Sequence, residues 1–279
     1  MKKQNTIAAN VRIKGKGLHK GGENTVIFSP APPGTGITII NSGERYVLNP
    51  HRVFDVKRGT SVKKGKSRIY TVEHMVSAVR GLGIDNIAVE IDGDEIPCID
   101  GSAKAFVEAL LKAGIKKQAA GKKAVELKEP VAVKDGESFM AVIPYPVFKV
   151  YYFADFSGFK AGTMEFSLEI NPESYRKKIC AARTFGFKKE MAALKRSGLI
   201  KGADLNSAVL MDKGRPVNTK LRYEDELVRH KILDITGDFG LLGAELKMLV
   251  LAFKTGHRHN IEAAKKIAAR TAAAKNKSI

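Results

Sequence analysis

Apolar residues in the first part of the chain fall in short clusters. Runs at 11–13, 26–28 and 37–40, rich in β-branched residues, are separated by Gly and Pro, the pattern of antiparallel strands. Residues 15–21 are glycine-rich, but their spacing is not that of a dinucleotide loop and no helix clearly follows, so they read as a hairpin connection. The period then lengthens. Residues 71–79 repeat at helical spacing and are closed by Gly81 and Gly83, 86–91 alternate as a strand, and 102–111 form an amphipathic helix ending at Gly114. Residues 114–123, with Gly, Lys and little apolar content, read as a linker. Beyond them strands are expected at 125–133, 139–143, 149–153 and 163–170, and helices at 188–197, 223–235, 241–253 and 261–274. Strands followed by helices, twice over, predict an α+β fold of two similar domains, 1–118 and 119–279, each a mostly antiparallel sheet layered with helices. The halves share no obvious residue-level repeat.

From 228 to 238 the spacing places His230, Asp234 and Asp238 four residues apart on one helical face. Such residues project side by side, so an imidazole and a carboxylate here can approach one small cation. The best supplier of a further donor is Thr71-Val72-Glu73-His74, with Thr71 read as the cap that opens a second helix. A zinc ion held by two His and one Asp keeps a position open to water, and hydrolytic sites then need a carboxylate that takes the water's proton. Glu73, beside His74, has that chemistry. Each piece also has a plainer reading. A helical His-x-x-x-Asp pair is more often a surface salt link than a ligand set. Glu73 suits a helix N-terminus by charge alone, and His257 reads equally as a solvent-facing residue or as a partner for a backbone carbonyl. Asp238-Phe239-Gly240 spells a kinase tripeptide, but no Gly-rich loop or His-Arg-Asp accompanies it, so the match is accidental.

The chain has 279 residues, and its 44% hydrophobic content is sufficient for packed cores. Cys98 and Cys180 fit neither a disulfide framework nor a Cys-x-x-Cys motif, which points to a reducing, cytoplasmic setting. Met1-Lys2-Lys3 looks like the start of a signal peptide, but Gln4-Asn5-Thr6 interrupts it and no apolar stretch follows, so export is not expected. No run of about 18 apolar residues exists to span a membrane. The net charge of +19 attracts polyanions, whether nucleic acid, anionic lipid or a phosphorylated small molecule, and does not choose among them.

Taken together, Thr71-Val72-Glu73-His74, Gly83-Ile84-Asp85-Asn86, Ile99-Asp100-Gly101-Ser102, Ala182-Arg183-Thr184-Phe185-Gly186-Phe187, Tyr223-Glu224-Asp225-Glu226, His230-Lys231-Ile232-Leu233-Asp234 and Gly256-His257 resemble the UDP-3-O-acyl-N-acetylglucosamine deacetylases, zinc amidases of lipid A biosynthesis. The motifs run in order from Gln4-Asn5-Thr6 to the Gly256-His257 turn, nearly the whole chain. The resemblance implies a site in the cleft between two α+β domains, with zinc held by His74, His230 and Asp234. It implies that Glu73 is the general base, that His257 supplies the second proton function, and that Asp238 orients His257. Thr184 would assist the oxyanion, while Lys231 and Phe185 would contact substrate. The family substrate, an acylated UDP-N-acetylglucosamine, carries a long acyl chain. The segment expected to receive it is 185–210, with Phe187, Met191, Leu194, Leu199 and Ile200 as candidate lining. These apolar residues suit an ordinary helix core as well.

Two departures from many relatives, Gly202-Ala203-Asp204 for Gly-Gly-Ser and Gly158-Phe159 for His-Pro, bear on acyl contacts and leave the metal untouched. His259 is a second imidazole near His257, whose position fits the acid better. Positive potential suits a diphosphate substrate and peripheral contact with an anionic membrane surface, and the protein is expected to act as a monomer without a specific nucleic acid. Other readings remain: a zinc amidase of a different N-acetyl sugar, iron(II) in the two-His, one-carboxylate set, and a basic nucleic-acid-binding protein. The last leaves the Glu-His and His-x-x-x-Asp sets unexplained.

Overall fold

The computed structural model of the chain describes residues 2–204 and 206–276. Leu205, inside the expected acyl segment, and residues 1 and 277–279, at the ends of the two expected domains, lie outside the described residues. The first half comprises β1 (Lys3–Ile7), β2 (Val11–Lys16), β3 (Glu23–Pro30), β4 (Ile37–Asn41), β5 (Glu44–Val47), a small meander of β6 (Val53–Asp55), β7 (Ser61–Lys64) and β8 (Ser67–Ile69), then α1 (Glu73–Gly81), β9 (Ile87–Asp92) and α2 (Lys104–Lys112). After β10 (Ile115–Gly121), the second half has β11 (Ala124–Glu126), β12 (Val131–Asp135), β13 (Ser138–Pro144), β14 (Phe148–Asp155), β15 (Thr163–Glu169) and α3 (Pro172–Lys178). An insert of β16 (Phe185–Phe187), α4 (Lys188–Arg196), β17 (Val209–Asp212) and β18 (Arg215–Pro216) precedes α5 (Glu226–Gly240), β19 (Glu245–Phe253) and α6 (His257–Asn276). The expected α+β class, with mostly antiparallel sheets, is what the structure shows.

Both main sheets follow one topology. The first runs β2-β3-β9-β4-β5 and the second β12-β13-β19-β14-β15. In each, the strand made last enters the middle, antiparallel to one hairpin and parallel to the other. The duplication is therefore architectural, without a residue repeat. Each sheet packs one face on helices: Phe28 of β3 meets Phe106 of α2 edge-on at 6.3 Å, and Phe148 of β14 stacks on Phe239 of α5 at 6.4 Å.

Four sequence expectations are corrected. Residues 241–253 are not a helix. The left-handed Gly243 (φ 74°) follows the end of α5, and Leu246, Met248, Val250 and Ala252 of β19 alternate inward from the centre of the sheet. The run is apolar at nearly every position, so periodicity alone did not separate strand from helix. The linker expected at 114–123 contains β10, which pairs antiparallel with β1 and is held by the buried Asn86 side chain bonded to Gln118 at 2.7 Å. The single strand expected at 125–133 is split into β11 and β12 ahead of Val131, where Pro130 supplies no backbone donor. Thr71 is not the cap of α1: its φ is +60°, its hydroxyl donates to Glu95, and Val72 occupies the cap position. Sequence reading also passed over α3, although Asn171, Pro172 and Ser174 form a capping box at its start.

The two halves meet where α1 packs against α5. Gly237 lacks the Cβ that would sit 2.2 Å from the carbonyl oxygen of Glu73, and a Cβ at Gly240 would lie 2.8 Å from Val76 and Arg80 side-chain atoms. Ser77 of α1 donates to the Leu233 carbonyl of α5 at 2.9 Å and bonds the buried Tyr175 hydroxyl at 2.7 Å. No helix among the described residues is long and apolar enough to cross a membrane.

In an open helix, Gly→Ala stabilises by roughly 1 kcal/mol. Gly237→Ala is expected to do the reverse, costing about 1–3 kcal/mol, because the added methyl meets fixed backbone. Chemical denaturation of the two proteins reads the sign directly.

Candidate active site

The four-residue spacing on α5 puts His230, Asp234 and Asp238 on one buried face, as their sequence positions predict. The close contact at Gly237 brings the first turn of α1 against that face, so Glu73 and His74 arrive from the other half of the chain. One donor atom from each of His74, His230 and Asp234 lies within 4.8 Å of the others. Asp234 Oδ1 is 3.2 Å from His230 Nε2 and 3.8 Å from His74 Nε2.

These three donors fit a divalent cation. His230 Nδ1 is 3.1 Å from the Ala182 carbonyl, a contact that places the ring proton there and leaves the Nε2 lone pair facing Asp234. Burial, aided by the neighbouring His230, pushes His74 down to about 3, and burial also lowers His230, so both imidazoles are neutral as ligation requires. Burial would raise Asp234, but the positive charges of Lys231 and His257 outweigh it and keep the group a carboxylate. Its Oδ1 is buried with no hydrogen-bond partner, whereas Oδ2 accepts from Lys231 at 2.7 Å. A buried carboxylate oxygen without a donor is costly, and a cation shared with the two Nε2 atoms satisfies it.

Around this set stand two groups that can exchange protons. Glu73 is pushed up to about 7 by burial, with Asp238 and Asp234 adding to the rise against the pull of His257. Its Oε2 accepts from the Thr60 backbone at 2.9 Å. His257, at the first turn of α6, is 3.9 Å by Nε2 from both Glu73 Oε1 and Asp234 Oδ2. Burial alone would lower it, but Asp238 and Asp234 hold it up at about 9. Its Nδ1 donates to Asp238 Oδ2 at 2.8 Å, and Asn260 donates to the same oxygen at 2.8 Å.

A cavity of about 930 Å³ opens over these residues, with Thr184, Phe185 and Lys231 on its wall. Lys231 lies 5.7 Å over the Phe185 ring, which meets His230 edge-on at 6.0 Å. Of the expected acyl lining, Phe187, Met191, Leu194 and Ile200 face the cavity, and Leu199 does not. Phe159, at one of the positions that depart from many relatives, stacks on Phe187 at 3.8 Å. The insert docks on the glycine-rich loop of the first half, where a Cβ at Gly202 would fall 2.0 Å from the Gly17 carbonyl oxygen. Leu18 and His19 thereby join the wall.

Several residues of the site escaped sequence reading. His19 was one polar residue in a turn, and Thr60 and Asn260 belong to no pattern of spacing. Arg183 and Glu226 were visible only as parts of motifs 43 residues apart. In the structure they form a buried two-pronged pair, Nε to Oε1 at 2.8 Å and Nη2 to Oε2 at 3.0 Å. That pair fastens the segment carrying the Ala182 carbonyl and Thr184 to the start of α5.

Residues 4–269 match the family model described as UDP-3-O-acyl N-acetylglycosamine deacetylase. Among similar curated proteins, the UDP-3-O-acyl-N-acetylglucosamine deacetylase of Teredinibacter turnerae is 41% identical over 271 residues, covering 93% of this chain and 88% of the relative. The protein of the same name from Campylobacter hominis is 41% identical over 261 residues, 92% of this chain and 89% of the relative. That from Saccharophagus degradans is 39% identical over 271 residues, 93% and 88%.

Removing one partner of the Arg183–Glu226 pair strands a buried charge. Glu226→Ala is therefore expected to cost about 3–5 kcal/mol at neutral pH, measured by urea unfolding. Burial opposes ionisation of Glu226, but its bonds from Arg183 and Arg222 hold its pKa below the usual glutamate value. The pair's stabilisation is then full above that value and is lost as pH falls through the lowered one, so the gap between wild type and variant should narrow in acid.

Proposed function

Because the chain belongs to the UDP-3-O-acyl-N-acetylglucosamine deacetylase family, we infer that it hydrolyses the N-acetyl amide of an acylated UDP-N-acetylglucosamine, giving acetate and the free amine in lipid A biosynthesis. The observation that carries this reading is the meeting of His74, His230 and Asp234 beneath Glu73 and His257 at the floor of a partly apolar cavity. Two nitrogens and one carboxylate oxygen suit zinc, which when bound supplies the Lewis acidity that water attack on an amide needs.

The protein's own groups then divide the proton work. Glu73, with Oε2 held by the Thr60 amide, offers Oε1 to the attacking water and takes its proton. The imidazolium of His257, its Nδ1 bonded to Asp238, presents Nε2 to the departing nitrogen and protonates it, which avoids expelling an amide anion. Thr184 at the cavity wall donates to the developing oxyanion. Lys231, already committed to Asp234, adds positive charge to the same region and attracts the polar part of the substrate. The aromatic cluster of Phe156, Phe159, Phe185 and Phe187, together with Met191 and Leu194, offers the acyl chain an apolar wall. A nucleotide-linked substrate and two free, buried cysteines support action in the cytoplasm, where the basic surface favours approach of a diphosphate.

The roles separate by experiment. Glu73→Ala should keep zinc, assayed by elemental analysis, and lose about 10²–10⁴ in acetate release from the acylated UDP sugar. His74→Ala should lose zinc and turnover together. Equal zinc loss in both would refute the division, and faster release from a non-acylated or non-UDP acetamide would move the substrate to another N-acetyl sugar.

A further inference from the structure

We propose that Thr60 is a positioning residue that aims both proton-transfer groups at once, an inference that rests on the roles given above to Glu73 and His257. Thr60 lies just before β7, fully buried, in a stretch with no motif. Each of its polar groups has a separate partner. Its carbonyl accepts from the Val72 amide at 2.9 Å, which ties it to the residue before α1. Its amide donates to Glu73 Oε2 at 2.9 Å, leaving Oε1 as the oxygen that faces His257. Its hydroxyl donates to Asp238 Oδ1 at 2.6 Å.

The hydroxyl carries one proton, and the partner at 2.6 Å takes it in preference to His257 Nδ1 at 3.3 Å. Asp238 is thereby divided: Oδ1 belongs to Thr60, and Oδ2 receives His257 and Asn260. A carboxylate turns easily about its last side-chain bond, where the torsional preference is broad. With Oδ1 undonated, the plane of Asp238 is free to rotate, and the His257 ring rotates with it. Nε2 then no longer points to the place between Glu73 and Asp234. Thr60 thus acts at a distance from substrate, through the partner of the acid and through the choice of free oxygen on the base.

The test isolates the hydroxyl. Thr60→Val keeps shape and both backbone bonds. Thr60→Ser and Thr60→Ala form a second pair that differs by the hydroxyl alone. Losing an outer hydrogen bond of this kind typically costs about 10–100-fold in activity. Val and Ala should fall by that much in kcat for acetate release, with KM and zinc content within about twofold of wild type, and Ser should stay near wild type. On the same zinc-loaded proteins the ¹⁵N shifts of the His257 ring should move in Val and Ala and stay in Ser, a readout that needs no turnover. Ser and Ala behaving alike, an unchanged kcat in Val, or a loss taken up in KM or zinc content would each overturn the proposal. If Val does not fold, the Ser and Ala pair decides. If wild type releases no acetate, the functional reading fails, and the ring shifts still judge the positioning.

Discussion

The site depends on how closely two helices approach. Gly237 on α5 presents no side chain to the backbone of Glu73 on α1, and that contact sets the position of everything near it. His230 reaches Asp234 Oδ1 at 3.2 Å within α5 itself, but His74 comes to 3.8 Å of the same oxygen from the other half of the chain because the two helices touch main chain to side-chain-less main chain. The hydroxyl of Ser77 reinforces the contact by bonding across it, with Tyr175 behind. Packing and chemistry are therefore one constraint here: a methyl group inserted at this point displaces His74 and Glu73 together.

Charge is arranged against the trend of the molecule. A chain with a net +19 buries three acidic side chains, Glu73, Asp234 and Asp238, near one another and sets Lys231 and His257 beside them as cations. The imidazoles of His74 and His230 are held neutral by desolvation, whereas that of His257 is held protonated by Asp238 and Asp234. These three histidines thus stand in two charge states, separated by which partner each ring nitrogen meets.

What could be read from sequence was what lies within one element. Four-residue steps on α5 revealed His230, Asp234 and Asp238 because a helix converts spacing into direction. The pair Glu73 and His74 stood out by residue type at a helix start. Strand β19 did not, since a central strand apolar on both faces has no period that a helix lacks. Thr60, His19 and Asn260 were invisible because their roles arise from contacts across long stretches of chain, 178 residues in the case of Thr60 and Asp238. Arg183 and Glu226 show the intermediate case: their motifs stood out, but the physical reason, a buried pair, needed coordinates.

The shared strand order of the two sheets has one more implication. In each half the helix that leads into the central strand, α1 or α5, lies at the mutual seam, and the cavity opens over that seam. The contents of the seam are lopsided: α5 places His230 and Asp234 there from its middle turns, and α1 places Glu73 and His74 there from its first turn. Two halves of one strand order thus face each other with different side chains, and neither half alone holds the three donors that meet there.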